Sequence, residues 1–92
     1  MAERRAVVGS KVGLHARPAA LFVRAAAKLP VKVTIAKEGK DPVDAASILA
    51  VLTLDVRGGE EVVLAAQGES AEQALDDLVT LVETDHDAPT SN

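Results

Sequence analysis

An alternating stretch at residues 31–37 constrains the fold more than any other part of this sequence. Val31, Val33 and Ile35 fall on one side of an extended chain, while Lys32 and Thr34 fall on the other. Because successive side chains of a strand point to opposite faces, the pattern predicts a strand with one buried side. Such half-buried strands are typical of antiparallel sheets that are covered on a single face.

The segments around this strand predict a mixed fold. An Ala-rich run before it predicts a helix over about residues 16–28, which Pro30 ends because proline cannot continue the hydrogen-bond ladder. After the strand, residues 38–41 predict a hairpin turn, and Pro42 restricts the next strand to a short edge segment around Val43. Further strands are predicted over residues 3–8 and 61–66, and further helices over residues 47–52 and from residue 70 onward.

The resulting order, β-α-β-β-α-β-α, predicts an α+β open-faced β-sandwich with three helices on one face of a four-stranded antiparallel sheet. Ser70 and Gln73 form a capping-box pattern at the start of the last helix. Residues 1–84 are predicted to be one domain, and the polar residues 85–92 a mobile tail. Apolar spacing predicts the buried sides of the first and last helices as Phe22, Ala25, Ala26 and Leu29, and Ala71, Ala74, Leu75, Leu78, Leu81 and Val82.

Composition argues against several classes of function. The 92 residues contain no cysteine, which excludes a disulfide framework and a thiolate nucleophile. Without an apolar run that could span a bilayer or a signal-peptide segment, we expect a cytoplasmic protein. A net charge of −4 and a single aromatic residue, Phe22, oppose nucleic-acid binding. The two histidines, far apart in sequence, are too few for a zinc site, so we expect no metal.

Residues 13–19, Gly-Leu-His-Ala-Arg-Pro-Ala, combine a histidine, an arginine and the predicted start of a helix. Pro18 suits the first turn of a helix because its φ is fixed and its missing N–H is not needed there. His15 then lies where the backbone N–H groups of Ala16 and Arg17 and the helix dipole favour an anion. Neutral imidazole is nucleophilic near pH 7, and Arg17 offers a fork-shaped cation to phosphate oxygens. This stretch therefore predicts a site that holds a phosphoryl group on His15.

The same seven residues resemble the active-centre signature of the HPr family, the histidine phosphocarriers of the phosphoenolpyruvate:sugar phosphotransferase system. Residues 44–49, Asp-Ala-Ala-Ser-Ile-Leu, are similar to the second signature of that family, and the element order matches to about Glu83. The resemblance implies that Nδ1 of His15 accepts a phosphoryl group from phosphorylated enzyme I and passes it to sugar-specific enzyme IIA domains. It implies a monomeric covalent carrier without a cofactor, not a stand-alone enzyme.

Charge is distributed unevenly along the chain. Residues 1–40 carry nine Lys or Arg against two acidic residues, whereas residues 41–92 carry one Arg against twelve acidic residues. A chance partition on a solvated surface is one explanation. The alternative is a basic edge around His15 that attracts acidic partners, because Arg17, Arg24 and Lys28 share one predicted helix. With the family resemblance, the expected partner interface comprises Ala20, Arg24, Lys28, Ile48, Leu49 and Leu52.

Two serines have alternative interpretations. Ser47 matches the family position that a dedicated kinase phosphorylates in some bacteria, which makes it a possible regulatory site. A serine directly before Ile48 is equally a helix N-cap. Ser10 and Lys11 could contact a phosphate, but a serine beside a glycine is more often part of a turn, and we favour that interpretation.

Several positions depart from the family pattern. Val12 stands where many members have Asn or Ser, so a side-chain contact to the active loop is lost. Asp55 replaces a frequent glycine, although aspartate tolerates positive φ. The tail, which contains His86, runs past the usual end. Two other functions stay open: a regulatory HPr-like interaction protein outside sugar uptake, and an interaction domain in which the motif is only a helix cap.

Overall fold

The computed structural model describes residues 1–84, apart from the side chain of Ala16. The predicted tail, with His86, lies outside the described residues. The elements follow the predicted order and are β1 (Ala2–Val7), α1 (Ala16–Ala27), β2 (Val33–Lys37), β3 (Val43–Asp44), α2 (Ile48–Thr53), β4 (Glu61–Ala66) and α3 (Ala71–Glu83).

The four strands form one antiparallel sheet in the order β1-β4-β2-β3. β4 is a central strand, and its Leu64 pairs with Arg4 of β1 on one side and with Ile35 of β2 on the other. The chain therefore leaves β1, passes through α1, and returns as β2 with a gap between the two strands. The last strand of the sequence fills that gap, which confirms the predicted open-faced α+β fold.

The core lies between the inward face of the sheet and the three helices. Ile35 and Leu64 come from the sheet and Phe22 from α1, and all three are fully buried. Burial of such a side chain stabilises the fold by about 1.5–3 kcal/mol. Most of the residues predicted to form the buried sides of α1 and α3 are buried. Ala25, Leu29 and Leu81, at the edges of those buried sides, are only partly buried. Outward-facing side chains of the sheet keep solvent exposure, as expected for an open-faced sandwich: Arg5, Thr34, Val63 and Ala65.

Two local predictions are wrong. The strand predicted from residue 31 begins at Val33, because Val33 pairs with Ala66 and β4 ends there, so the preceding residues have no strand beside them. The capping box does not form. The backbone of Ser70 has φ −95° and ψ 9°, which is not the extended conformation of a capping residue, and its side chain makes no cap hydrogen bond. Gln73 instead donates to Asp77 Oδ1 at 3.0 Å, within α3.

No helix formed by residues 1–84 is long and apolar enough to cross a membrane.

Candidate functional site

The loop between β1 and α1 is held by backbone hydrogen bonds to the segment that follows α2. The N–H of Leu14 donates to Val56 O at 2.9 Å, and the N–H of Val8 donates to Glu60 O at 2.9 Å. Gly13 makes the close approach possible: its φ is +77°, and a Cβ there would collide with the carbonyl oxygen of Val56. The chain therefore needs glycine at this position to place the next residues at the start of α1.

His15 is the N-cap residue of α1 and has an extended backbone, with φ −132° and ψ 163°. Its side chain makes no cap hydrogen bond and is 37% exposed, so the ring is accessible from solvent. Pro18 lies in the first turn, as predicted. The N–H of Arg17 has no acceptor within residues 1–84, as is usual at the first positions of a helix. The start of α1 therefore presents a free donor close to the imidazole in the chain.

Arg17 is exposed and forms no ion pair or hydrogen bond with any residue that the structure describes. Arg24 and Lys28 on the same helix are likewise exposed and unpaired within residues 1–84. By contrast, Arg4 and Arg5 of β1 are paired with carboxylates, Arg4 with Glu72 and Asp76 of α3. The cations of α1 are therefore free to bind anionic groups from outside the domain.

Asp55 is the site residue that sequence reasoning missed. Its Oδ1 lies 3.2 Å from His15 Nε2, and its Oδ2 lies 3.3 Å from Arg57 Nη2. The residue follows the C-cap of α2, Leu54, and is the one non-glycine residue with positive φ, at 52°, in the described part of the chain. The signal in the sequence that could have found it is an aspartate where the resembling family often has glycine.

The surroundings of Asp55 favour its charged form. The hydrogen bond and the charge of Arg57 lower the pKa of Asp55, with smaller contributions from Lys37 and His15 and a partly opposing effect of burial. Lys37 Nζ donates to the backbone carbonyl of Asp55 at 2.8 Å and contacts Glu60 at 3.2 Å. Glu60 accepts from the N–H of Arg57 at 2.7 Å, and these contacts lower the pKa of Glu60 as well. The segment from Asp55 to Glu60 thus holds an ionised carboxylate against the imidazole.

Ser10, in the loop before His15, is almost fully buried, while Lys11 and Val12 are exposed. The carbonyl of Ser10 accepts from the N–H of Gly13 at 3.1 Å, which closes the turn that we favoured from the sequence. The Ser10 hydroxyl has no hydrogen-bond partner among residues 1–84. The same residues contain no cluster of three or more His, Asp or Glu side chains that could hold a metal ion.

Ser47 is the N-cap of α2. Its Oγ accepts from the N–H of Ala50 at 3.3 Å, and its carbonyl accepts from the N–H of Val51 at 3.0 Å. In the turn that follows, Ile48 is 39% exposed and Leu49 is 74% exposed, although both are large apolar residues.

The residues of the expected interface lie on two helices that pack against each other, α1 and α2. Ala20, Arg24 and Lys28 of α1 are exposed. Leu52 of α2 is only partly buried and packs against the core, so it contributes less free surface than Ile48 and Leu49. Exposed apolar side chains and unpaired cations therefore occupy adjacent helices.

Comparison with known proteins identifies the family. A family model described as the PTS HPr component phosphorylation site matches residues 2–84. The chain belongs to the HPr family. It is 61% identical over 82 residues to phosphocarrier protein HPr of Streptomyces coelicolor, an alignment that covers 89% of this chain and 88% of that protein.

A second relative is the HPr-like protein Crh of Bacillus subtilis, 43% identical over 83 residues, with 90% of this chain and 96% of Crh covered. The crystal structure of HPr from Bacillus anthracis superposes with a TM-score of 0.83 at 38% identity and covers 88% of this chain and 95% of that one. The resemblance carried by the two sequence signatures is thus confirmed. The chain is a phosphocarrier of the phosphotransferase system, and its partners are enzyme I and enzyme II components of that system.

Proposed function

We propose that His15 is the residue that carries the phosphoryl group, accepted on Nδ1 from phosphorylated enzyme I and passed to enzyme IIA domains. The observation that carries this assignment is the position of His15 as a partly exposed N-cap two residues before the free N–H of Arg17. Nε2 faces Asp55 at 3.2 Å, which leaves Nδ1 as the ring nitrogen for phosphorus. The carrier acts as nucleophile in one transfer and as donor in the next.

In this proposal the start of α1 binds the phosphate dianion. The N–H groups of Ala16 and Arg17 donate to its oxygens, and the positive end of the helix dipole adds to the attraction. The guanidinium of Arg17, which has no partner within residues 1–84, supplies two parallel donors and a permanent positive charge. No cofactor is needed on the carrier.

Partners dock on the surface formed by Ala20, Arg24, Lys28, Ile48, Leu49 and Leu52. Support comes from the 74% exposure of Leu49 beside the unpaired cations of α1, an apolar centre with a basic rim. An acidic partner surface is complementary to such a patch, because opposite charges steer the encounter and apolar contact holds the complex. We propose that the protein acts as a monomer in the cytoplasm.

Ser47 is proposed as a regulatory phosphorylation site. It lies next to the proposed docking surface. Its hydroxyl oxygen accepts from the backbone N–H of Ala50 at 3.3 Å, and an oxygen of a phosphate on Ser47 would accept from the same N–H. The similarity to Crh supports an alternative to the carrier function, in which the protein is a regulatory HPr-like interaction protein that acts outside sugar uptake. Retention of His15, with Arg17 beside it, favours the carrier over a purely regulatory form.

Phosphorylation by enzyme I tests the proposal directly. The protein is incubated with phosphoenolpyruvate and enzyme I, and its intact mass is measured before and after mild acid. We expect one acid-labile phosphate on the wild type and on a His86→Ala control, and none on His15→Ala. Phosphate on His15→Ala would assign the nucleophile elsewhere. An unmodified wild type beside a competent enzyme I would favour the interaction protein.

A further inference from the structure

The geometry points to Asp55 as a positioning residue for His15, a carboxylate that faces Nε2, orients the ring in the reacting complex and stabilises the positive charge of the phosphorylated ring. This inference rests on the proposed function of His15 and adds a residue to its mechanism. Asp55 stands where glycine is frequent in the family, and a member with glycine there has no carboxylate at this position.

The two oxygens of Asp55 have separate contacts. Oδ1 lies 3.2 Å from His15 Nε2, an ion-pair distance without the alignment of a hydrogen bond, and Oδ2 accepts from Arg57 Nη2 at 3.3 Å. Lys37 Nζ donates to the backbone carbonyl of Asp55 at 2.8 Å, so the main chain is held as well as the side chain. The contacts of both carboxylate oxygens and of the backbone carbonyl together limit the rotation of the Asp55 side chain away from the ring. Contacts of this kind are often loose in the free protein and tighten in the reacting complex.

The backbone of Asp55 supports the same conclusion. With φ at 52°, it occupies the left-handed position that follows a helix C-terminus, where glycine is the usual residue. Aspartate adopts this conformation more readily than most residues, although glycine adopts it at lower cost. What the side chain does contact is His15 and Arg57. The aspartate side chain therefore places a carboxylate between a reactive imidazole and a cation, which glycine at this position could not do.

Asp55 stays ionised throughout the proposed chemical step and neither gains nor loses a proton. The lone pair of Nδ1 attacks phosphorus, and the Nδ1–P bond forms while the bond from phosphorus to the donor atom breaks. The donor atom keeps the bonding electron pair, and the proton of His15 stays on Nε2. The phosphorylated ring therefore gains a delocalised positive charge that faces Oδ1 of Asp55. A carboxylate that orients an imidazole and stabilises its cation plays the same role in Ser-His-Asp triads.

The test compares Asp55→Gly and Asp55→Asn with a matched control, Asp41→Asn. Glycine and asparagine both tolerate the positive φ, so both variants are expected to fold. Asp41 is exposed and pairs with no residue in the described range, and its replacement removes the same charge from the chain. The protein is labelled with ¹⁵N-histidine, and imidazole nitrogen and Nε2–H signals are recorded without phosphate at about pH 8.5, above the usual histidine pKa of about 6.5.

In the wild type we expect His15 as the Nε2–H tautomer, with a proton that exchanges slowly with water. Asp55→Gly should exchange that proton faster and shift the nitrogens toward histidine free in water, and Asp41→Asn should match the wild type. Phosphoryl acceptance from enzyme I should be slower by about two- to fivefold in both Asp55 variants, the range of a solvent-exposed charged contact.

Identical nitrogen spectra for the wild type and Asp55→Gly would overturn the positioning role. Altered spectra with an unchanged transfer rate would overturn its contribution to transfer. A wild type that takes no phosphate would remove the proposed function of His15 and the kinetic part of this inference, while the nitrogen spectra would still decide whether Asp55 holds the ring.

Discussion

His15 Nε2 and Asp55 Oδ1 lie 3.2 Å apart, although His15 caps the beginning of α1 and Asp55 follows the end of α2. The contact exists because the loop before α1 is bonded to the segment after α2, through Leu14 and Val56 among others. The contact between these two segments thereby brings together an imidazole and a carboxylate that are far apart in the sequence.

Arg17→Lys should slow phosphoryl transfer by about tenfold, which corresponds to ~1.4 kcal/mol of transition-state stabilisation. Lysine keeps the charge but cannot present two parallel donors to a phosphate. Binding of enzyme I should persist, so the loss should appear in the rate at saturating partner. Rapid-quench kinetics measure it, with Arg5→Lys on the open face of the sheet as the control. Equal rates for Arg17→Lys and the wild type would remove Arg17 from the mechanism.

Leu49→Asp should raise the KM for enzyme I by about tenfold, since removal of a central interface anchor commonly costs more than ~1 kcal/mol. Leu49 is 74% exposed, so the substitution should leave the circular dichroism spectrum and melting temperature nearly unchanged. Leu54→Asp provides the contrast, because Leu54 is buried in the core and the charge there should unfold the domain. If Leu49→Asp melts as Leu54→Asp does, Leu49 supports the fold and not the docking surface.

Ser47→Asp should keep or raise the melting temperature and slow the phosphorylation of His15, more strongly at low salt. An anion at a helix N-terminus is stabilised by the dipole, by about 0.3–1 kcal/mol, and aspartate can accept from the N–H of Ala50 as serine does. The same charge beside Ile48 and Leu49 repels an acidic partner.

Two variants separate these effects of Ser47. Ser47→Ala loses the cap and should lower stability by about 1 kcal/mol without slowing transfer. Gln73→Asp adds an equal charge in the first turn of α3, which contributes no residue to the docking surface, and should leave transfer unchanged. A lower melting temperature and an unaltered transfer rate for Ser47→Asp would rule out regulation at this position.

Acid should destabilise the domain partly through Glu60. Its pKa is lowered from the usual 4.5 because its carboxylate accepts from the N–H of Arg57 and pairs with Lys37. A lowered folded-state pKa means that this stabilisation is complete above the unfolded value and is lost as pH falls through the folded value. Glu60→Gln should therefore melt at a lower temperature than the wild type at pH 7, and the difference should shrink as pH falls below about 4.

Melting curves between about pH 7 and pH 2.5 measure the effect of Glu60. Glu69→Gln is the control, because Glu69 is exposed and unpaired within residues 1–84 and its replacement should not change the pH dependence. A difference between Glu60→Gln and the wild type that stays constant with pH would show that the ionised carboxylate does not stabilise the fold.

Much of the architecture follows from local patterns. The alternation around Val33 and Ile35, the spacing of apolar residues in the helices and the proline after α1 each act over a few residues, so the sequence alone predicts the elements and their order. The phosphoryl site begins in the same way, because His15, Arg17 and Pro18 occupy a single helix start. The family signature then identifies the function, since those residues stand together in the chain.

Tertiary structure decided what depends on contacts between distant segments. It placed β4 between β1 and β2, began β2 opposite the end of β4, and set Leu49 in solvent while Val51 two residues later is fully buried. It also brought Asp55 to His15. The periodicity and spacing of apolar residues indicate on which side of its own helix or strand a side chain lies. Which side chains from other elements surround it depends on packing the whole domain, so the carboxylate of the site became visible only in the folded chain.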